Sequence, residues 1–144
     1  MRTGPRRSRG FDHVNEGVLA EQFVGQQLLC AAPPFMDPQL FFWAREARNA
    51  NAEVDFVISR HQDILPLEVK AGKTGTLRST FQFLREKHRT RAVRLHADSS
   101  MLEDVKLPGE NDTTVKLLSL PLYAISQLDR LLGEAFRESP VARS

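Results

Sequence analysis

The sequence predicts an α/β protein: a mixed central β-sheet flanked by helices, with elements in the order α-β-β-β-α-β-β-α. Three observations predict it. A stretch of helical spacing opens the chain. Two runs of strict alternation follow, separated by a short polar turn. A second and a third amphipathic helix are then interleaved with further short apolar strands. Separate strands mixed with helices of this length point to a layered sheet with helical covers.

The chain has 144 residues, 41% hydrophobic and 26% charged, which suits a single domain with a real core. No apolar run reaches the roughly 20 residues that span a bilayer. The basic N-terminus has no apolar segment behind it, so no secretion signal is read. One cysteine, Cys30, excludes an internal disulfide and a cysteine-based zinc site, and is expected as a small buried hydrophobe. These features predict a cytoplasmic location and no membrane partner. Net charge is +2, but Arg2, Arg6, Arg7 and Arg9 put +4 into the first ten residues, leaving the remainder near −2. Residues 1–11 are therefore a basic arm, either a solvated terminus or a phosphate-tracking one. Residues 12–136 form the predicted domain and 137–144 a tail.

From Asp12 or Asn15 to about Leu29 the spacing is helical. Val14, Gly17, Val18, Glu21, Val24, Gly25, Leu28 and Leu29 share one face, with Glu21 near its centre. A carboxylate on a packing face is costly unless something pairs with it, and the glycines would permit a close neighbour. "AAPPFMDP" (31–38) is a loop, and Gln39–Ala44 a buried strand rich in aromatics, Phe41, Phe42 and Trp43. In 53–59, Val54, Phe56 and Ile58 face one way and Glu53, Asp55 and Val57 the other. In 63–70, Leu65, Leu67 and Val69 oppose Pro66, Glu68 and Lys70. Arg60-His61-Gln62-Asp63 is the hairpin loop between them.

A helix over 77–88 presents Leu77, Phe81, Leu84 and His88; a strand follows over 91–97. Residues 98–112 read as irregular, 114–120 as the last strand, and 121–136 as a closing helix.

The hairpin carries the chemistry. Its register sets Ser59 against Ile64 and hence Asp55 against Glu68, with Lys70 on the same face. Two carboxylates so close repel unless a cation lies between them. Few hard oxygen ligands suit Mg²⁺ or Mn²⁺ rather than zinc. A lysine beside such a cation can hold a water for attack on a phosphodiester. The plainer reading of Glu-x-Lys is a surface ion pair worth about 0–1 kcal/mol.

These residues resemble the PD-(D/E)XK nuclease superfamily, whose restriction-endonuclease-like core is helix, three-stranded meander, helix, strand. "GVLAEQFVGQQL", "AEVDFVI", "LPLEVKAGKTG" and "LPLYAI" look like the nuclease-like domain at the C-terminal end of many prokaryotic AAA-type ATPases, over roughly residues 14 to 126. The resemblance implies a metal-dependent endo- or exonuclease, with DNA as the expected substrate. Asp55 and Glu68 would ligate Mg²⁺ or Mn²⁺ with the Val69 carbonyl, Glu21 would bind directly or through water, and Lys70 would orient the attacking water. It also implies an ATPase partner or a homodimer as possible company. Two departures stand out. Val54 precedes the aspartate where proline is common, and Gln82 is followed four residues later by Glu86 rather than tyrosine. The alternative is a catalytically silent module that keeps the fold and binds nucleic acid or an ATPase.

Gly72-Lys73-Thr74 mimics the end of a phosphate-binding loop, but Leu67 stands where that loop needs glycine. It reads as a turn, from which Lys73 could touch phosphate. Arg85, Lys87, His88, Arg89, Arg91 and Arg94 form a basic run; of these, Arg85, Arg89 and Arg91 are candidate nucleic-acid contacts, against a solvated face. His13, His61, His88 and His96 lack metal-ligand spacing. Tyr123 reads as a packing residue.

Overall fold

The computed structural model describes residues 9–46, 51–72, 76–110 and 112–137, with backbone alone for 9–15. The elements are α1 (Arg9–Cys30), β1 (Phe41–Arg45), β2 (Ala52–Arg60), β3 (Asp63–Val69), α2 (Arg78–Glu86), β4 (Arg91–His96), β5 (Met101–Lys106), β6 (Thr114–Pro121), a 3-10 turn over Leu122–Gln127, and α3 (Leu128–Ala135). One six-stranded mixed sheet runs in the order β1-β2-β3-β4-β6-β5. The expected meander β1-β2-β3 is antiparallel; β3, β4 and β6 are parallel to one another, and β5 returns antiparallel to β6.

Both sheet faces are covered, which is why β3 carries the apolar run Ile64–Leu67 rather than a strict alternation. Leu65, Leu67 and Val69 of β3 join Val93, Leu95, Leu118 and Leu120 under α1, the 3-10 turn and α3. On the other face Val54, Ala92, Val115 and Leu117 pack on Phe83 and Leu84 of α2. Trp43 meets Phe83 edge-on, with ring centroids 5.6 Å apart at 86°. Each fully buried leucine contributes about 1.5–3 kcal/mol relative to exposure, so these two clusters dominate the stability.

Several expectations need correction. Strand β1 lies at the sheet edge and is mostly exposed: Phe41 is 59% and Phe42 68% accessible. An edge strand has one covered flank at most, and only Trp43 finds a partner face. Residues 101–106 form β5, where an irregular segment was expected; its burial alternates weakly because it too is an edge. The 121–136 segment is a 3-10 turn followed by α3 rather than one helix. His88 leaves α2, is exposed, and takes a positive φ of 51°. Cys30 is exposed, since it falls on the last residue of α1 beyond the packed stripe.

The buried stripe of α1 is Ala20 and Val24, continued by half-buried Leu28. Val18 and Glu21 are exposed on its flank, so Glu21 is not central to the packing face. Close approach is needed at Gly25, where a Cβ would lie 3.4 Å from Leu40 and Phe56 side-chain atoms, and not at Gly17, which has nothing within 4 Å. Gly17→Ala should therefore stabilise by about 0.5–1 kcal/mol through helix propensity alone. Gly25→Leu should destabilise by about 1–3 kcal/mol through overpacking. Urea unfolding of the two variants checks this, and equal effects at both positions would contradict the packing described.

Candidate functional site

The hairpin register is as the sequence predicts, Ser59 against Ile64, but the turn is only two residues, His61 and Gln62, because Arg60 pairs with Asp63. His61 takes φ 55°, the left-handed conformation that tight hairpins require at their first turn position. The ladder runs to Phe56 against Leu67. Beyond it the strands part, and Asp55 and Glu68 do not form the next ladder pair. Instead the Asp55 Oδ2 accepts the Val69 N–H at 2.7 Å, so a side chain takes the place of a backbone carbonyl.

The parting has a cause in β2. Phe41 pairs with Val57 and Trp43 with Val54, so Asp55 and Phe56 together face Phe42. This is a β-bulge, which bends a strand and re-aims the side chains within it. It also breaks the expected alternation: Val54 packs on the α2 side of the sheet, whereas Phe56 and Ile58 pack on the α1 side.

Glu68 is only 6% exposed. One carboxylate oxygen is bonded by Lys70 Nζ, and the other accepts from Thr80 Oγ1 of α2 at 3.3 Å. Across the parallel ladder Glu68 lies level with Arg94, whose guanidinium is held by Ser119 Oγ at 2.8 and 3.1 Å. Backbone groups of successive strand residues point to opposite sides. Lys70 N–H goes to Leu95 of β4, so the Val69 carbonyl is directed to the other side, toward the fork that Asp55 occupies.

The carboxylates feel one another. Burial pushes the Glu68 carboxyl up, opposed by its bond to Lys70, and the charge of Asp55 raises it further. Burial also raises Asp55, against the Val69 N–H and the Lys70 charge, which lower it. Glu21 is raised by partial desolvation and then by Asp55. Glu53 adds to the repulsion on both Asp55 and Glu21. Three expected acids and Lys70 thus converge electrostatically, and with Glu53 one cation stands against four anions.

The other expected residues go elsewhere. Lys73 lies outside the described residues. Arg85 bonds the Pro108 carbonyl and sits 3.8 Å from Glu110. Arg89 and Arg91 each lie 3.6 Å from Asp63, at the opposite end of β3 from Glu68. Tyr123 is 81% exposed rather than packed, and with His96, Asp98 and Ser99 it lines a cleft of about 320 Å³. That cleft is at the carboxyl ends of β4 and β6, the same edge as Val69, where open α/β sheets bind ligands. Sequence reasoning missed Thr80 and Ser119. Thr80 was within reach, because it falls three and four residues before Phe83 and Leu84 on the buried stripe of α2.

Among the described residues, no three His, Cys, Asp or Glu side chains gather closely enough to hold a metal ion together. Two repelling carboxylates and a backbone carbonyl directed toward the same fork are too few to enclose an ion, and fit a cation that keeps much of its hydration, as Mg²⁺ does. Glu21, exposed on α1, fits a role through water better than direct ligation.

The sequence pattern of the family described as "Domain of unknown function (DUF4143)" matches residues 16–123. Neither a curated protein nor a solved structure matches the chain. The match covers all the strands together with Glu21, Asp55 and Glu68, and the chain belongs to this family.

Asp55 can be divided into its charge and its bond. Because its folded-state pKa is raised, ionisation opposes folding at pH values above that raised value, and the opposition fades as pH falls into the ordinary carboxylate range. Without divalent cations, Asp55→Asn should be more stable than wild type at pH 7, with the advantage closing under acid. Asp55→Ala orphans the Val69 N–H and should cost about 1–3 kcal/mol. Chemical denaturation at pH 7 and pH 4 tests both; an Asn variant as damaged as the Ala variant would contradict the account.

Proposed function

We propose that this DUF4143 chain is a metal-dependent nuclease of the PD-(D/E)XK kind, hydrolysing phosphodiester bonds with DNA as substrate. The observation that carries the reading is the fork at Asp55, Val69, Glu68 and Lys70: a carboxylate fixed by a backbone N–H, a second buried carboxylate, and an ammonium bonded to it. Support for the fold comes from the antiparallel meander that leads through α2 into parallel β4.

Asp55, Glu68 and the Val69 carbonyl would hold Mg²⁺ or Mn²⁺, with Glu21 reaching it through water. Such a cation supplies a lowered water pKa and neutralises charge on the phosphate. The chain's own groups do the positioning. Thr80 and Lys70 hold Glu68 in one rotamer, and Val69 does the same for Asp55. Lys70 carries three donors, of which Glu68 takes one, so it can also orient water or meet a phosphoryl oxygen. The exposed Tyr123 beside this edge offers a ring on which a base can stack.

A second reading is favoured by the exposed Phe35, Met36, Phe41 and Phe42 around β1. Large apolar side chains left exposed at a sheet edge suit a partner, either an ATPase or a second copy, and a module of this kind could keep the fold without cleaving.

Cleavage of supercoiled plasmid and of single-stranded DNA in Mg²⁺ or Mn²⁺ tests the choice. Wild type should cleave, and Lys70→Ala should fall by about 100-fold or more, the scale set by removing one charge-stabilising donor. Cation-dependent activity equal in wild type, Lys70→Ala and Asp55→Asn would contradict the assignment.

A further inference from the structure

At the far end of β3 from the acidic fork lies a cavity of about 700 Å³. Its walls come from the β2–β3 turn, the His88–Arg91 segment and the end of α3. Asp63 is five residues from Glu68 along β3, or about 17 Å at strand rise, so a ligand here does not touch the fork.

The lining is strongly one-sided in charge. Four arginines, Arg60, Arg89, Arg91 and Arg137, face a single carboxylate, Asp63. That carboxylate is shared, at 3.6 Å, by Arg89 and Arg91, and its Oδ1 also accepts the Ile64 N–H. The arginines are pre-positioned by contacts within the fold, and with Asp129 counted they outnumber the carboxylates four to two. Arg91 lies over the Phe136 ring, 5.6 Å from its centroid. Arg60 is held by Asp129 through Nε at 3.0 Å, and its other end crosses α3 where Gly133 has no side chain. A Cβ at Gly133 would meet the Arg60 guanidinium at 3.0 Å.

One further feature has no structural return within the fold. The Nε of Arg89 is buried without a hydrogen-bond partner, a cost of about 1–3 kcal/mol. His61 and His88, which also line the cavity, take positive φ for structural reasons, one in the hairpin turn and the other at the left-handed end of α2, where the Arg89 N–H bonds the Leu84 carbonyl at 2.9 Å.

We propose that this cavity is a binding site for a phosphorylated small molecule of nucleotide size. The volume falls in the ordinary range of ligand sites, about 300–1,000 Å³. Planar guanidinium groups converging from three elements match phosphate oxygens, which they bond in pairs. The cavity is half open to solvent, and a nucleic-acid strand is the competing occupant that displacement of pyrophosphate distinguishes. The site is independent of the hydrolytic reading of the fork.

Isothermal titration with pyrophosphate and with ADP, at low salt and without divalent cations, tests it. Wild type should bind one equivalent saturably. Arg89→Gln should weaken binding at least tenfold, and so should Arg60→Gln, a change at the surface that spares the Asp63 cluster if Arg89→Gln impairs folding. Asp55→Asn should bind as wild type does. Absence of saturable binding for both ligands overturns the proposal, as does affinity unchanged in both arginine variants. Displacement of pyrophosphate by a 12-nucleotide strand, equally with and without a 5′-phosphate, would instead assign the cavity to nucleic acid and overturn the small-ligand assignment.

Discussion

The hydrogen bond from the Val69 N–H to the Asp55 carboxylate is the contact on which the arrangement of the acidic edge depends. Where a sheet would place a backbone carbonyl, this protein places a side chain. The substitution is possible because the bulge at Asp55 and Phe56 turns β2 away from β3 after the last ladder pair. It satisfies a buried donor that would otherwise cost about 1–3 kcal/mol. It also leaves the Val69 carbonyl directed toward the side that Asp55 occupies. Everything proposed for cation binding follows from that local exchange of partners.

Around the fork, each fixing contact works against a repulsion. Glu68 is buried and would favour protonation, yet Lys70 and Thr80 both bond its ionised form. Asp55 is likewise desolvated and likewise bonded. The balance leaves carboxylates that are held in place but not fully neutralised. At the other end of the same strand the sign reverses, with four arginines around Asp63. Strand β3 therefore joins an acidic edge to a basic cavity, and its apolar middle, Leu65 to Val69, anchors both through the core.

Much of this was legible in the sequence for a simple reason: alternation and turn length fix hairpin register. Ser59 against Ile64 followed from counting, as did the inward Leu65, Leu67 and Val69. The bulge did not follow, because an extra residue in one strand leaves no mark when both neighbours are apolar. Edges were the other blind spot. Phe41 and Phe42 look like core residues until the sheet order leaves them on the outside, and Met101–Lys106 looks like a loop because an edge strand can be polar on both faces. Glu21 was found on the correct helix but assigned to the packed stripe, since its neighbours Ala20 and Val24 set a stripe rotated away from it. Tyr123 sat in an apolar run whose other members are buried, and only the 3-10 turn exposes it.

The central claim is that Asp55 and Glu68 form a divalent-cation site. Electron paramagnetic resonance of Mn²⁺ titrated with protein at pH 7 measures this without reference to activity. The account predicts that wild type removes the free Mn²⁺ signal in a saturable, one-to-one manner. It predicts that Asp55→Asn and Glu68→Gln, both folded, leave the signal at least tenfold harder to remove. Saturable Mn²⁺ binding that is undiminished in both variants, or no binding by wild type, would contradict it.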